Sequence, residues 1–347
     1  MKKTIIVVVS LLILAGFARL SFKLPAFQNL ALDVLGQGFV QQAARSLPES
    51  DALRVFVCGS ASPLGMTDQA QACIAVLTPE HFYVIDSGAG SMRNITGAGL
   101  PTRRIQGVLL THFHSDHIAE LYELNLNSWI QGRPEPLMVF GPEGVGEVVD
   151  AVNAGYRQDR LYRSEHHGAA LLPPALGVLK HHSIEPGIVI ENGALTVTAY
   201  VAGHAPVHPA VGYRIDYQGR SVVISGDSNV TADTRRVVVG ADLLLHDALS
   251  VPVVTNLAEA AADAGLARIS KIMSDVLDYH ASAASVVELG QNADIGMVAF
   301  YHLVPAPPNV LVEEIFQRGF PSNYLLAEDG MWFELPVGSD DIKVIRP

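Results

Sequence analysis

The sequence predicts an α/β protein in which two β-sheets pack face to face between outer helices, a four-layer αββα sandwich. Strand-like segments come in two batches along the chain, and each batch is followed by helical segments. This order suits two packed sheets, because each sheet then buries one face against the other sheet and one against helices. The 347 residues, 49% of them hydrophobic, are enough for a sizeable core.

The first 22 residues predict an export signal. Residues 1–22 combine Lys2 and Lys3 with an apolar run from Ile5 to about Ala18, and they contain no acidic residue. This pattern is typical of a secretory signal peptide or of an uncleaved signal-anchor. The run is shorter than the about 20 residues of a full membrane span, and both outcomes stay open. The protein is therefore expected to be exported, either periplasmic or secreted, or tethered to the membrane by its N-terminus.

Two further regions follow the export signal. Residues 23–52 place apolar side chains at helical spacing and predict a lead-in helix or linker. Residues 53–347 are expected to form one large domain. Cys58 and Cys73 each lie in an apolar, strand-like run. They are compatible with a disulfide in an oxidising compartment or with two buried free thiols.

The first batch of elements is predicted from short β-branched runs and from helical periodicity. Strands are expected at residues 54–58, 73–78, 82–86, 107–110 and 137–140. Helices are expected at residues 118–129 and 144–156. Residues 157–187 have loop character and are expected to shape the mouth of a binding site.

The second batch has the same order of strands and then helices. Strands are expected at residues 188–190, 195–201, 211–217 and 221–225. Helices are expected at residues 231–239, 257–279 (with a break) and 283–291. The chain then closes with a strand at 296–301, a helix at 310–318 and strands at 324–326 and 331–335.

The most informative stretch is Thr111-His112-Phe113-His114-Ser115-Asp116-His117, which follows the apolar run 107–110. Its three imidazoles and one carboxylate make little sense as packing, because His and Asp are rarely buried without partners. Neutral imidazole nitrogen and carboxylate oxygen are the ligands that a zinc-type ion prefers. The stretch therefore predicts a metal site.

This stretch resembles the signature of the metallo-β-lactamase superfamily. The resemblance extends over about residues 53–335, because further motifs recur in the family's order. Asp86, in Asp86-Ser87-Gly88, resembles the acidic residue that lies beneath the family's metal loop. In the segment 203–214, His204 rather than His208 matches a ligand position. The remaining ligand positions are matched by two residues at strand ends, Asp227 and His302.

The resemblance implies a binuclear metal centre. One metal ion would be held by His112, His114 and His204. The second would be held by Asp116, His117 and His302, and Asp227 would bridge the two. Two divalent ions in such a site lower the pKa of a bridging water and stabilise both the attacking and the leaving oxygen. Zinc is the default ion for these ligands, with manganese or iron as alternatives.

Two more motifs, at residues 243–248 and 279–282, resemble ribonuclease Z and its phosphodiesterase and arylsulfatase relatives. In that branch an acidic residue at the position of Asp247 orients a histidine at the position of His280, which protonates the leaving group. The family more often has Glu at the position of Asp247. The implied catalytic residues are therefore Asp116, His280 and Asp247, whereas His246 is interpreted as structural.

The resemblance implies an exported, metal-dependent phosphodiesterase or sulfatase-like hydrolase, with a metal-bridging hydroxide as nucleophile and His280 as general acid. One alternative is a lactonase or a β-lactamase-type carbonyl hydrolase, in which His280 would be dispensable. The other is a non-catalytic protein that only holds metal. An acid candidate argues against this last alternative, because binding alone needs no proton donor.

The resemblance implies a small-molecule ester substrate, and the composition predicts no nucleic-acid partner. The net charge is −12 and the pI about 5.5, whereas affinity for nucleic acid comes largely from Lys and Arg that neutralise phosphates. The loop at residues 59–71 contains no Lys or Arg, where ribonuclease Z has basic residues. The natural substrate and the oligomeric state stay open, with a homodimer as one option.

Overall fold

The computed structural model describes residues 19–43, 46, 48–64 and 68–347. Residues 1–18 of the expected export signal lie outside the described residues. The chain divides into two compact units, residues 1–46 and 47–347. The first unit contains helix α1 (Pro25–Ala43). Within the part of the chain that the structure describes, no helix combines the length and the apolar character needed to cross a bilayer.

The second unit is built on two sheets, one of eight strands and one of seven. The strands of the first sheet are β1 (Ala52–Gly59), β2 (Cys73–Leu77), β3 (Phe82–Ile85), β4 (Gly107–Leu109), β5 (Leu137–Gly141), β6 (Leu179–Ser183), β14 (Trp332–Pro336) and β15 (Lys343–Ile345). Their order across the sheet is β15-β14-β1-β2-β3-β4-β5-β6. The pairs from β3 to β6 are parallel and the others antiparallel.

The second sheet also combines parallel and antiparallel pairs of strands. Its strands are β7 (Gly187–Asn192), β8 (Leu195–Val201), β9 (Val211–Tyr217), β10 (Arg220–Ile224), β11 (Leu243–Leu249), β12 (Met297–Val304) and β13 (Tyr324–Leu326). The order is β13-β12-β11-β10-β9-β8-β7. Strands β7 to β10 pair antiparallel, and strands β10 to β13 pair parallel.

Helices cover the outer faces of the sheets. They are α2 (Ser91–Gly97), α3 (Ser115–Ile118), α4 (Leu121–Ile130), α5 (Val145–Gly155), α6 (Arg157–His167), α7 (Ala232–Val237), α8 (Val251–Asp263), α9 (Ala267–Val276), α10 (Ala283–Asn292) and α11 (Val310–Phe316). Strand β1 has apolar side chains on both faces, because each face of its sheet is covered. Val55 and Val57 belong to the core between the sheets, whereas Phe56 and Cys58 pack in the cluster that also contains residues of α4 and α5. Alternate strand residues point to opposite faces, so the predicted αββα sandwich is confirmed.

One predicted segment is wrong. Residues 157–187 are not one loop, because they contain α6, a 3₁₀ turn at Pro174–Gly177 and the edge strand β6. Helix α6 reads RQDRLYRSEHH and has too few apolar residues to show helical periodicity. Strand β6 exposes four of its five residues, so it lacks the apolar run by which a buried strand is recognised. The predicted break within 257–279 lies between α8 and α9, where Gly265 has a φ of +73°.

The two cysteines are bonded to each other. Cys58 and Cys73 form a disulfide between the neighbouring strands β1 and β2, and both are fully buried. Of the two alternatives that the sequence leaves open, the structure has the disulfide.

Candidate metal centre

The candidate site lies where strands from both sheets end. The loop after β4 carries His112 and His114, and α3 begins immediately after it with Asp116 and His117 in its only turn. Asp227 follows β10, where Gly226 has a φ of +62°. A Cβ at Gly226 would come within 2.8 Å of the Thr111 side chain, so glycine allows the two loops to approach closely.

His302 reaches the site through a bulge in β12. Across the β11–β12 pair, Asp247 lies opposite Tyr301 and Ala248 lies opposite Leu303, so His302 has no partner residue. Its φ is +45°, which is uncommon for a non-glycine residue. Bulges of this kind re-aim a side chain next to active sites, and this one brings the His302 imidazole within reach of Asp116 and Asp227.

We call His112, His114 and His204, together with Asp227, the first group. His114 Nδ1 lies 2.9 Å from His112 Nε2 and 3.4 Å from His204 Nε2. Asp227 Oδ2 lies 3.8 Å from His112 Nε2 and 3.7 Å from His204 Nε2. His114 is exposed, whereas the other three residues are buried.

We call Asp116, His117 and His302, again with Asp227, the second group. His117 Nε2 lies 3.4 Å from Asp116 Oδ2 and 3.3 Å from Asp227 Oδ1. His302 Nε2 lies 3.1 Å from Asp116 Oδ2, and its Nδ1 lies 3.4 Å from Asp227 Oδ1. All four residues are buried. Asp227 therefore belongs to both groups, one oxygen facing each.

The donor atoms fit divalent cations. His117 Nε2, His302 Nδ1 and Asp227 Oδ1 are buried and have no hydrogen-bond partner among the described residues. Leaving such an atom unpaired costs about 1–3 kcal/mol, which a bound cation would offset. Ligands about 2.0–2.1 Å from a tetrahedral zinc ion lie roughly 3.3 Å apart, and most of the contacts within the second group match that spacing.

The ionisation states suit metal ligands. Burial alone would raise the pKa of Asp227, but the His302 and His117 imidazoles hold it well below its usual range. Burial lowers the pKa of His112 and of His204. Metal ligands must be deprotonated carboxylates or neutral imidazoles, and these residues are held in those forms.

The pKa of His117 is raised, whereas those of His112 and His204 are lowered. Burial lowers it, but Asp227 and Asp86 outweigh that effect and raise it well above its usual value. The same negative surroundings that favour a proton on this imidazole also favour a metal cation.

Outer partners orient His117 and His204, and the Thr111 hydroxyl lies 3.1 Å from His112 Nδ1. His117 Nδ1 donates to Asp86 Oδ2 at 2.8 Å, and the same carboxylate accepts from the Thr111 backbone N–H and hydroxyl. His204 Nδ1 donates to the Tyr279 carbonyl oxygen at 3.0 Å. In both residues Nε2 is thereby left as the ligand atom, as in metal sites generally. The sequence motif indicated the position of Asp86, whereas no sequence signal indicated the Tyr279 carbonyl.

Asp247 and His280 form a pair at the edge of the centre. His280 Nδ1 donates to Asp247 Oδ2 at 2.8 Å, so the aspartate reaches the imidazole although it is shorter than glutamate. The His280 ring centroid lies 5.4 Å from that of His302. Burial lowers the pKa of His280, but Asp247 and Asp227 outweigh it and raise the pKa. The imidazole therefore keeps its proton to higher pH than an ordinary histidine.

A cavity of about 260 Å³ opens onto these groups. Its polar wall includes His114, Asp116, Asp227, His280 and His302. Its remaining wall includes apolar side chains from the loop after β1 and from α9, among them Leu64, Ile272 and Val276. The cavity can hold a compact anionic group against the metal ligands, with an apolar surface beside it.

The residues singled out in the sequence as ligands or catalytic residues therefore come together in one place, where five of them line the cavity: His114, Asp116, Asp227, His280 and His302. His208, which was not chosen, lines a different cavity with Glu143 and Glu185. The paired histidines at 166–167 and 181–182 are exposed.

Comparisons with known proteins agree with this geometry. The profile of the family described as a β-lactamase superfamily domain matches residues 83–291. Ribonuclease Z of Mycobacterium bovis (strain BCG / Pasteur 1173P2) is 30% identical over 257 residues, which are 73% of this chain and 87% of that protein.

Solved structures with the same fold include the metallo-β-lactamase fold protein YhfI from Bacillus subtilis, with a TM-score of 0.59 and 17% identity. They also include the short form of human tRNase Z, with a TM-score of 0.56 and 17% identity. Each match covers 82% of this chain and 99% of the other.

The predicted partners are wrong. The sequence predicts a small-molecule ester substrate and no nucleic-acid partner, but the curated relatives that cover most of this chain are ribonucleases Z. The error came from using the charge of the whole chain. Phosphate binding depends on the local field, and bound metal ions can be the largest charges in a site.

Proposed function

Because the chain belongs to the metallo-β-lactamase superfamily, in the branch of ribonuclease Z and related phosphodiesterases, we propose that this metal-dependent hydrolase cleaves phosphodiester bonds of RNA. Two divalent ions would be held by the first and the second group, with Asp227 shared between them. Zinc is the ion to test first, followed by manganese and iron.

The observation that carries this proposal is the Asp247–His280 pair beside the metal ligands. A ribose hydroxyl leaves badly as an alkoxide unless it is protonated, and a carboxylate-held imidazole is a competent acid near neutral pH. His280 Nδ1 is occupied by Asp247, and the residue lines the cavity. Nε2 is therefore the atom that donates the proton.

The other residues of the cavity have separable tasks. When bound, divalent metal ions activate water and offset the charge of the phosphoryl oxygens. Asp116 and Asp227 keep the ligand set negative, because their pKa values are held low by the neighbouring imidazoles in spite of burial. Leu64, Ile272 and Val276 form an apolar wall, which limits the access of bulk water and strengthens the polar interactions inside the cavity.

We also propose that the protein acts outside the cytoplasm. The supporting observations are the pattern of residues 1–22 and the Cys58–Cys73 disulfide, since disulfides persist mainly in oxidising compartments. Residues 1–24 fused to a reporter that is active only after export should give signal. No signal from this fusion, together with activity of a matched fusion to a reporter that works only in the cytoplasm, would contradict export.

The proposed function is tested by metal content together with a panel of substrates. The purified chain should contain about two metal ions and should cleave a short single-stranded RNA and bis-(4-nitrophenyl) phosphate. 4-Nitrophenyl sulfate, a lactone and a β-lactam are the comparison substrates. Turnover of only the lactone or the lactam would assign carbonyl chemistry instead. Turnover of only the sulfate ester would assign a sulfatase, and metal binding without any turnover would indicate a binding protein.

The acid is tested by His280→Ala. The substitution should lower kcat for RNA by about 10²-fold or more, whereas bis-(4-nitrophenyl) phosphate should be nearly unaffected because nitrophenolate leaves without a proton. The comparison is made at saturating metal, with the metal content measured for each variant. An equal loss on both substrates would mean that His280 is not the acid.

A further inference from the structure

A second buried histidine contacts the aspartate of the acid pair. His246 and Asp247 are adjacent on β11, and neither has any exposed surface. His246 Nδ1 lies 2.9 Å from the backbone carbonyl oxygen of Asp247 and 2.9 Å from its side-chain Oδ1. Asp247 Oδ2 accepts from His280. The carboxylate therefore lies between two imidazoles, one at each oxygen.

We infer that His246 is a positioning residue, which holds the side chain of Asp247 against its own backbone so that Oδ2 stays directed at His280. This inference rests on the proposed function, because it assigns His246 a role in the delivery of a proton by His280. His246 does not line the cavity, so it acts through Asp247 and touches no reacting atom.

The surroundings of Asp247 Oδ1 explain why the contact matters. This oxygen is buried and has no well-aligned hydrogen bond among the described residues, and His246 Nδ1 lies 2.9 Å from it. Ser225 Oγ accepts from the Asp247 backbone N–H at 2.9 Å and fixes the main chain only. Without His246, the carboxylate could rotate about its side-chain bonds, and the hydrogen bond to His280 would lose its fixed direction.

The charge of the carboxylate is consistent with this role. Burial alone would raise the pKa of Asp247, but contacts with His246 and His280 hold it below its usual value. An ionised carboxylate accepts the His280 Nδ1 proton and keeps the other ring nitrogen protonated for transfer. The aspartate side chain is shorter than a glutamate, so the Asp247–His280 hydrogen bond forms only when the carboxylate is correctly oriented.

The experiment uses the full chain at saturating metal and three substitutions of His246 or His280. His246→Ala removes the contact. His246→Asn restores an N–H at the same number of bonds from the backbone as Nδ1. His280→Ala defines the loss of the acid. His81→Ala is the matched control, because His81 is also buried, bonds Thr78 and Asn192, and lies at the opposite end of β3 from Asp86.

His246→Ala should lower kcat for RNA about tenfold or more, with KM and the turnover of bis-(4-nitrophenyl) phosphate nearly unchanged. His246→Asn should recover most of that loss, and His81→Ala should cause none of it. In a chain that already carries His280→Ala, adding His246→Ala should cost nothing more, because residues that act as one unit are not additive.

Other outcomes overturn the inference. An equal loss on both substrates, failure of the Asn variant to recover activity, or a further loss in the His280→Ala background would each assign His246 to the structure alone. If the wild-type chain cleaves no phosphodiester, the proposed function fails instead. A second readout, which needs no enzymatic activity, tests the inference about His246 in that case.

The second readout is the His280 Nδ1 proton in the NMR spectrum of the metal-free protein, which needs no activity. Its hydrogen-bonded resonance should be present in the wild type and in His246→Asn and should be lost to exchange in His246→Ala. A resonance that persists in a folded His246→Ala variant would show that Asp247 needs no support from His246.

Discussion

The two halves of the metal centre share Asp227 but differ in their surroundings. In the second group every residue is buried, and a buried carboxylate, Asp86, orients His117. In the first group His114 is exposed, and its ring nitrogen meets the two other imidazoles of the group. The outer support there comes from the Tyr279 carbonyl behind His204 and from the Thr111 hydroxyl, 3.1 Å from His112 Nδ1.

This difference predicts that the two proposed metal positions are not equivalent. The second group is held in place by neighbouring residues before any metal binds, and water reaches it less easily. The first group borders the cavity through an exposed imidazole, where ligand exchange with solvent is easier. We therefore expect the metal in the first group to be lost first during chelation. Substitutions in the two groups test this expectation.

The largest effect is expected for Asp116→Ala, which removes a buried ligand of the second group. The metal content should fall to about one per chain, and hydrolysis should fall about 10³-fold or more, about 4 kcal/mol of transition-state stabilisation. Added metal should not rescue it, because the remaining buried ligands no longer form a complete set. Metal content and turnover of bis-(4-nitrophenyl) phosphate measure both quantities. Retained activity would contradict a centre with two metal ions.

A smaller effect is expected for His114→Ala in the first group. After dialysis the variant should also hold about one metal per chain, and its activity should be lower by about 10²-fold, about 2.7 kcal/mol. Excess metal should recover part of this activity, because the position opens to solvent. The recovery is read from a metal titration of turnover, run beside Asp116→Ala. If the two variants recover activity to the same extent with added metal, the proposed difference between the two groups is wrong.

The smallest effect is expected for Asp86→Asn, which touches no metal. It keeps the shape of the side chain but places an N–H₂ group where Asp86 now accepts from His117 or from Thr111. Loss of such an outer partner weakens metal affinity by about 10- to 100-fold. A competition assay with a chelator should show this loss for one metal per chain only, with kcat at saturating metal nearly unchanged. Weaker binding of both metals would mean that Asp86 supports the whole centre.

Much of the fold could be predicted because its signals are local. The buried strands β1, β3 and β10 are short apolar runs bounded by turn residues, and such runs mark buried strands directly. Helix α6 and strand β6 could not be predicted in this way. Both are largely polar, and they are stabilised by contacts with parts of the chain that are distant in sequence.

The site shows the same division. His112, His114, Asp116 and His117 lie within six positions of one another, so their spacing alone indicated a metal ligand set. His302 was indicated by its place at the end of a strand, but its orientation depends on a bulge that forms only when β12 pairs with β11. His246 was interpreted as structural, since nothing in its local sequence shows that it faces the carboxylate of its neighbour.

By itself the sequence determined the fold class, the superfamily and the identity of the metal loop, because each depends on residue types at short, regular spacing. Only the tertiary structure decided that Asp227 faces both groups, that Asp247 reaches His280 and that His246 contacts Asp247. The first relation joins the end of a strand in the second sheet to a loop of the first sheet, and the second joins β11 to the segment before α10. These distances and side-chain directions are set by tertiary packing, and no local pattern in the sequence contains that information.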